Sequence, residues 1–188
     1  VLKEVNASAF VVDTREELAG LSEKAIEAAA NEAKKRGLDG KFVIPVVNTT
    51  QQAALSVLTN RDTRAKLLSA SMARGSRGGE FDTRQIVLQI AKLRAERALL
   101  LGFPNHAAYN LEEQTAKTTD AVNSLLAELA TPAVNNAKKE AADIQKVIDA
   151  EKGGFKAAAH DWSFYSDKVR AERYAFDASQ LRPYFELN

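Results

Sequence analysis

The 188-residue sequence has no cysteine, two histidines and one tryptophan, and its 26 lysines and arginines stand against 25 aspartates and glutamates. The absence of cysteine excludes thiol nucleophiles, disulfide frameworks, iron–sulfur clusters and cysteine-based zinc sites. A catalytic zinc site would have to draw on His106 and His160, which are far apart in the chain, together with carboxylates, and this matches poorly the close ligand spacing such sites use. A net charge of +1 supplies no global field to attract nucleic acid or a membrane surface, so neither is expected as a partner. No apolar run approaches the ~20 residues needed to cross a bilayer. Val1-Leu2-Lys3-Glu4 lacks the basic start and apolar stretch of a signal peptide, and no Met opens the chain. The expectation is a piece of something longer.

What is abundant points to helices. The chain holds 33 Ala against 9 Gly and 4 Pro, and the remainder is rich in Leu, Glu, Lys, Arg and Gln, the strong helix formers. Aromatics make up only 7%, so small aliphatic side chains must fill the interior, which suits closely packed helices. The fold class read from this composition is mainly α: a multi-helix array with a small two-stranded β ribbon near the amino terminus. Residues 1–188 are read as one helical unit, without internal repeats or low-complexity segments.

Along the chain, Ala9-Phe10-Val11-Val12 and Phe42-Val43-Ile44-Pro45-Val46-Val47 are β-branched runs that predict strands near 9–13 and 42–47. Pro45 cannot donate to a ladder and places the second strand at an edge. Between them, Ala25, Ile26, Ala29, Ala30 and Ala33 recur at helical spacing over Ser22–Arg36, with Gly37 as the stop. Helices are predicted at about 49–58, opened by an Asn48/Gln51 capping box, and at 61–73. The glycines of 75–79 mark a surface loop. Asp82 with Gln85 should cap a long helix to Leu101, followed by a short one over 106–115. A second long pattern, from Thr118/Thr119 to about Glu151, should be broken or kinked at Pro132. Gly153-Gly154 stops it, Asp161 should cap a last helix over 162–176, and Asp177 with Gln180 forms a further capping box.

Few residues carry chemistry. His106, at the first turn of a short helix, has no nucleophile nearby in sequence, and His160 lies beside a helix cap; both are read as structural or surface groups. Over 61–97 stand nine basic residues (Arg61, Arg64, Lys66, Arg74, Arg77, Arg84, Lys92, Arg94, Arg97) and four acidic ones. This region could bind phosphate or an acidic partner through guanidinium forks. It lacks the Gly-Lys-Ser/Thr of a phosphate loop and the interleaved aromatics of a base-stacking surface, and is read as a solvated basic face. Seven of the 13 aromatics fall between Trp162 and Phe185, at spacing typical of packing groups. Catalytic, cofactor-binding and metal residues are all read as none.

Several stretches nevertheless form a specific pattern. Asp161-Trp162-Ser163-Phe164-Tyr165-Ser166-Asp167-Lys168-Val169-Arg170, then Phe176-Asp177 and Leu181-Arg182-Pro183-Tyr184-Phe185-Glu186-Leu187, resembles the segment that precedes the catalytic half in the thimet oligopeptidase family of zinc metallopeptidases. Val46-Val47-Asn48-Thr49-Thr50-Gln51-Gln52, Leu58-Thr59-Asn60-Arg61 and Leu100-Leu101-Gly102-Phe103-Pro104-Asn105-His106-Ala107-Ala108-Tyr109 are similar to its bacterial peptidyl-dipeptidase (dipeptidyl carboxypeptidase) branch, as are Ala19-Gly20-Leu21-Ser22. The resemblance covers nearly the whole chain. It implies a helical clamshell enzyme that removes dipeptides from the carboxyl termini of oligopeptides, with zinc held by a His-Glu-x-x-His helix and a downstream Glu. None of those ligands lies in this sequence, so the implied role of this chain is a helical wall or lid, with zinc and catalysis in the full-length parent. The partners implied are oligopeptide substrates and a missing carboxyl-terminal catalytic half, with self-association through the aromatic-rich end. The implied compartment is the cytoplasm, with the periplasm as the alternative. From a different class, a helical interaction module could bind nucleic acid or an acidic partner through 61–97, and a third reading is an independent helical enzyme using His106 or His160.

Overall fold

The computed structural model describes residues 8–46, 52–80 and 82–174. Among them are six α-helices and one two-stranded antiparallel sheet, so the fold is mainly α as expected. The described residues fall into two compact units, one of residues 75–139 and the other of residues 8–74 with 140–174.

The second of these contains the sheet. Strands β1 (Ala9–Val12) and β2 (Phe42–Pro45) pair with Phe10 opposite Ile44 and Ala9 opposite Pro45. Val46 donates its N–H to Ser8 O at 3.2 Å. Because bonded and non-bonded pairs alternate in an antiparallel ladder, Pro45 occupies a position whose missing N–H would face away from β1. Helix α1 (Glu23–Lys35) connects the strands. Ser22 Oγ accepts from Ala25 N–H, and the helix ends where Gly37, at φ +71°, lets Leu38 N–H reach back to Ala33 O. Its buried stripe of Ile26, Ala29 and Ala33 contributes Ile26 and Ala29 to a core with Val12, Leu18, Val46, Leu55, Leu58 and Leu67. Leu67 comes from α2 (Arg61–Met72), which Asn60 caps by accepting from Thr63 N–H at 3.0 Å.

A second core joins the end of helix α5 (Thr119–Ala150) to helix α6 (Trp162–Tyr174): Ile144, Ile148 and Tyr165 are buried, with Phe155, Trp162 and Phe164 packed on them. Gln145 fastens the connecting loop to α5, its Nε2 donating to Phe155 O and its Oε1 accepting from Ala157 N–H. Ion pairs Lys168–Glu151 and Arg173–Asp143 tie the two helices at the surface. The aromatics Trp162, Phe164 and Tyr165 thus face a core, whereas Tyr174 is exposed.

In the unit 75–139, α3 (Arg84–Leu100) and α4 (His106–Leu111) meet across the Gly102 turn, where Phe103 N–H reaches Ala98 O and the Phe103 and Tyr109 rings stand edge to face at 5.3 Å. Ala98 is the buried residue of α3, and most of the remaining length of that helix is exposed.

Two expectations are corrected. Of the break or kink expected at Pro132, the break does not occur: helix α5 continues through that residue. A proline removes one intrahelical donor, and the Ala- and Leu-rich turns on both sides carry the helix past that loss. Where a helix was predicted at 49–58, the described part is a single 3₁₀ turn, Ala53–Ser56. Asn48 and Gln51 lie outside the described residues, as do the Asp177/Gln180 capping box and the aromatics beyond Tyr174.

Candidate functional site

The densest concentration of buried polar chemistry among the described residues surrounds Asp161, which is fully buried. Arg61 and Arg64 lie three positions apart on α2 and therefore share a face. Both guanidinium groups reach the Asp161 carboxylate at the start of α6. Arg64 Nη2 donates to Oδ1 at 2.8 Å, and Arg61 donates through Nη2 to Oδ2 at 2.9 Å and through Nε to both oxygens at 3.1 Å. Ala158 N–H adds a bond to Oδ2 at 3.1 Å. This is half of a capping box, and Ala158 has no side-chain oxygen to complete it. Arg64, only 1% exposed, spends Nη1 on the carbonyls of Leu58 and Thr59 and stacks 4.3 Å over the Phe164 ring, while Arg61 stacks 4.0 Å over Phe155.

Burial pushes the Asp161 carboxyl up, but the Arg61 and Arg64 hydrogen bonds, the Ala158 N–H and the nearby His160 together outweigh it and hold the group below the ordinary carboxylate range. Asp161 is therefore ionised and its oxygens are filled by donors. An acceptor with no open lone pair is poorly suited to take a proton from a substrate, so this cluster works as a clamp between α2 and α6. His160 Nε2 lies 3.5 Å from Oδ2, buried and without a hydrogen bond.

The remaining predicted positions disperse. His106 pairs with Asn110 at 3.1 Å, follows the Asn105 cap and stacks on Tyr109, in the other unit from His160. The basic stretch 61–97 is divided between the two units, and most of its charges have partners: Arg84 with Asp82, Lys92 with Glu96, Lys66 with Glu17, and Arg97 over Tyr109. Arg61 and Arg64 turn inward. The solvated face expected there omits these two, and only their i, i+3 spacing hinted that they serve one acceptor.

Among the described residues no group of three or more His, Asp or Glu side chains is placed to hold a metal ion. No helix of the described residues is long and apolar enough to cross a membrane. A groove of about 1000 Å³ runs between α1 and β2, lined by Leu21, Ala25, Ala29, Ile44, Pro45 and Val57 among others, with Glu32 and Lys35 at its edge. Glu32 is paired with Arg36 at 2.9 Å, so the groove offers apolar surface without a free acid or base of that pair.

Among the described residues the geometry shows a buried clamp and two dispersed histidines. Residues 54–188 match the family model for peptidase family M3. The chain belongs to peptidase family M3. Within M3 relatives, it is 45% identical over 179 residues to a dipeptidyl carboxypeptidase of Escherichia coli, covering 95% of this chain and 26% of that protein. It is likewise 45% identical over 182 residues to the dipeptidyl carboxypeptidase of Salmonella typhimurium, covering 97% of this chain and 27% of the relative. An oligopeptidase A of Haemophilus influenzae is 31% identical over 183 residues, 95% of this chain and 27% of that protein. The chain thus spans about a quarter of the length of these curated M3 relatives.

Proposed function

We propose that this chain forms a helical, non-catalytic portion of an M3 peptidase that releases dipeptides from the carboxyl termini of oligopeptides. The observation that carries the reading is the identity to dipeptidyl carboxypeptidases along nearly the whole chain, 45% against 31% for an oligopeptidase A. Its role is wall and lid. Helical walls around a channel select substrates by access, admitting short extended peptides and excluding folded proteins whose diameter exceeds the opening. The clamp at Asp161 suits that role, because it ties together two helices whose linked residues stand 100 positions apart in the chain.

The zinc of the proposed peptidase does not fit the described residues, which bring no ligand set together. Its ligands belong to the part of the peptidase outside this chain, and no step of the reaction is assigned to the residues described. The proposed compartment is the cytoplasm.

The test is a chimera in which this chain replaces the matched 179 residues of the E. coli dipeptidyl carboxypeptidase. The isolated 188-residue chain should leave an amino-terminally blocked tripeptide intact. The chimera should release the dipeptide from it and lose that activity to a chelator. Cleavage by the isolated, tag-free chain, or a chimera no more active than the relative with the matched region deleted, would overturn the proposal.

A further inference from the structure

Apolar side chains are conspicuously bare in the unit 75–139. On α3, Ile86, Ile90, Leu93 and Leu100 are all exposed, Leu100 by 88%, as are Leu88 and Leu99. At about 100° per residue, the first four fall in one arc and the last two on the opposite side. A helix that is apolar on opposite sides is built to be buried between neighbours. On α5, Leu125, Leu126 and Leu129 are more than half exposed, while Ile144 and Ile148 on the same helix are buried against Tyr165. By spacing, Leu126, Leu129, Ala133 and Ala137 trace one stripe on the part of α5 that lies in this unit.

We propose that both bare faces are covered by the polypeptide that makes up the other three quarters of the dipeptidyl carboxypeptidase relatives. This rests on the reading of the chain as part of such a peptidase. A second copy of the chain is the competing occupant, and the geometry of α3 argues against it. A two-fold contact presents the same patch of each copy to the other and covers one face, leaving the opposite side of α3 bare. A long polypeptide folded around the helix covers both. The seam therefore runs along α3 and the first half of α5, and the Trp162–Tyr165 aromatics, already packed in a core, take no part in it.

The test is hydrogen exchange measured by mass spectrometry on the isolated chain and on the chimera described above. In the chimera, amides of 86–100 and 122–134 should exchange at least about tenfold more slowly than in the isolated chain. Leu93→Asp and Leu126→Asp should leave the helicity and melting of the isolated chain unchanged. In the chimera they should return those segments to the rapid exchange of the isolated chain. Equal exchange at 86–100 in the two proteins overturns the proposal, and so does a chimera that keeps its protection with both substitutions. So does an isolated chain that dimerises and shows the full protection by itself. A chimera that shows the protection without releasing dipeptides supports the seam and removes the proposed activity; dipeptide release without protection does the reverse.

Discussion

Replacing Asp161 with Asn is the sharpest perturbation of the described structure. The side chain keeps its size but loses its charge, and its amide nitrogen must face a guanidinium donor. Asp161 receives five hydrogen bonds, four of them from guanidinium groups, and it is fully buried. Arg64, 1% exposed, would then hold a charge with neither water nor a counter-ion. Breaking one side of a buried pair costs about 3–5 kcal/mol, because the orphaned charge stays in the interior. Against a total of about 5–15 kcal/mol for an ordinary domain, this is a third or more of the stability. The assay is urea unfolding of the chain followed by circular dichroism, for parent and Asp161→Asn, at pH 7 and again at pH 3. The sign of the pH effect follows from the direction of the shift. Asp161 is held below its unfolded value, so its contribution is full above about pH 4 and declines as the pH falls through the depressed folded value. The difference between parent and variant should therefore shrink at acid pH. A variant within about 1 kcal/mol of the parent at pH 7, where exposed ion pairs lie, would refute the clamp.

Arg64→Met should destabilise by about 3–5 kcal/mol and Arg61→Met by about 1–2 kcal/mol in the same assay, since Arg64 also serves two carbonyls from a fully buried position while Arg61 is 36% exposed. Gly20→Ala should cost about 2 kcal/mol or more by thermal melting, because its φ is +99° and a Cβ would stand 2.0 Å from Val57 O. In the isolated chain, Ile148→Ala should cost about 2–5 kcal/mol and Leu126→Ala less than about 0.5 kcal/mol, a contrast between a buried and a bare residue of α5.

The helices were legible where local signals agreed. Ser22 and Gly37 bound α1, each through a hydrogen bond or dihedral angle its residue type favours. Asp82 was read as the cap of α3, and the structure moves the boundary by a residue: Thr83 occupies the cap position, and Asp82 accepts from Arg84 N–H at 3.0 Å. The break considered at Pro132 does not occur because a proline's effect depends on whether its neighbours sustain the helix, which a breaker rule does not weigh. The clamp was hidden for a different reason. Arg61 and Asp161 stand 100 positions apart, and periodicity shows which residues share a face without showing what that face meets. The surplus of charge over 61–97 pointed to solvent, whereas two of its members are committed to a single buried carboxylate. Apolar spacing shows which residues of α3 and α5 share a face, but it cannot tell a covered face from a bare one.

As proposed, this chain is a structural portion of a dipeptide-releasing M3 peptidase. Mass spectrometry of the products from a blocked tripeptide tests it most directly, with the isolated chain, the relative lacking its matched region and the chimera assayed side by side. The expected result is intact substrate with the first two, and with the chimera a free carboxyl-terminal dipeptide whose release a chelator abolishes. Cleavage by the isolated chain, or a chimera that leaves the tripeptide intact, would contradict it.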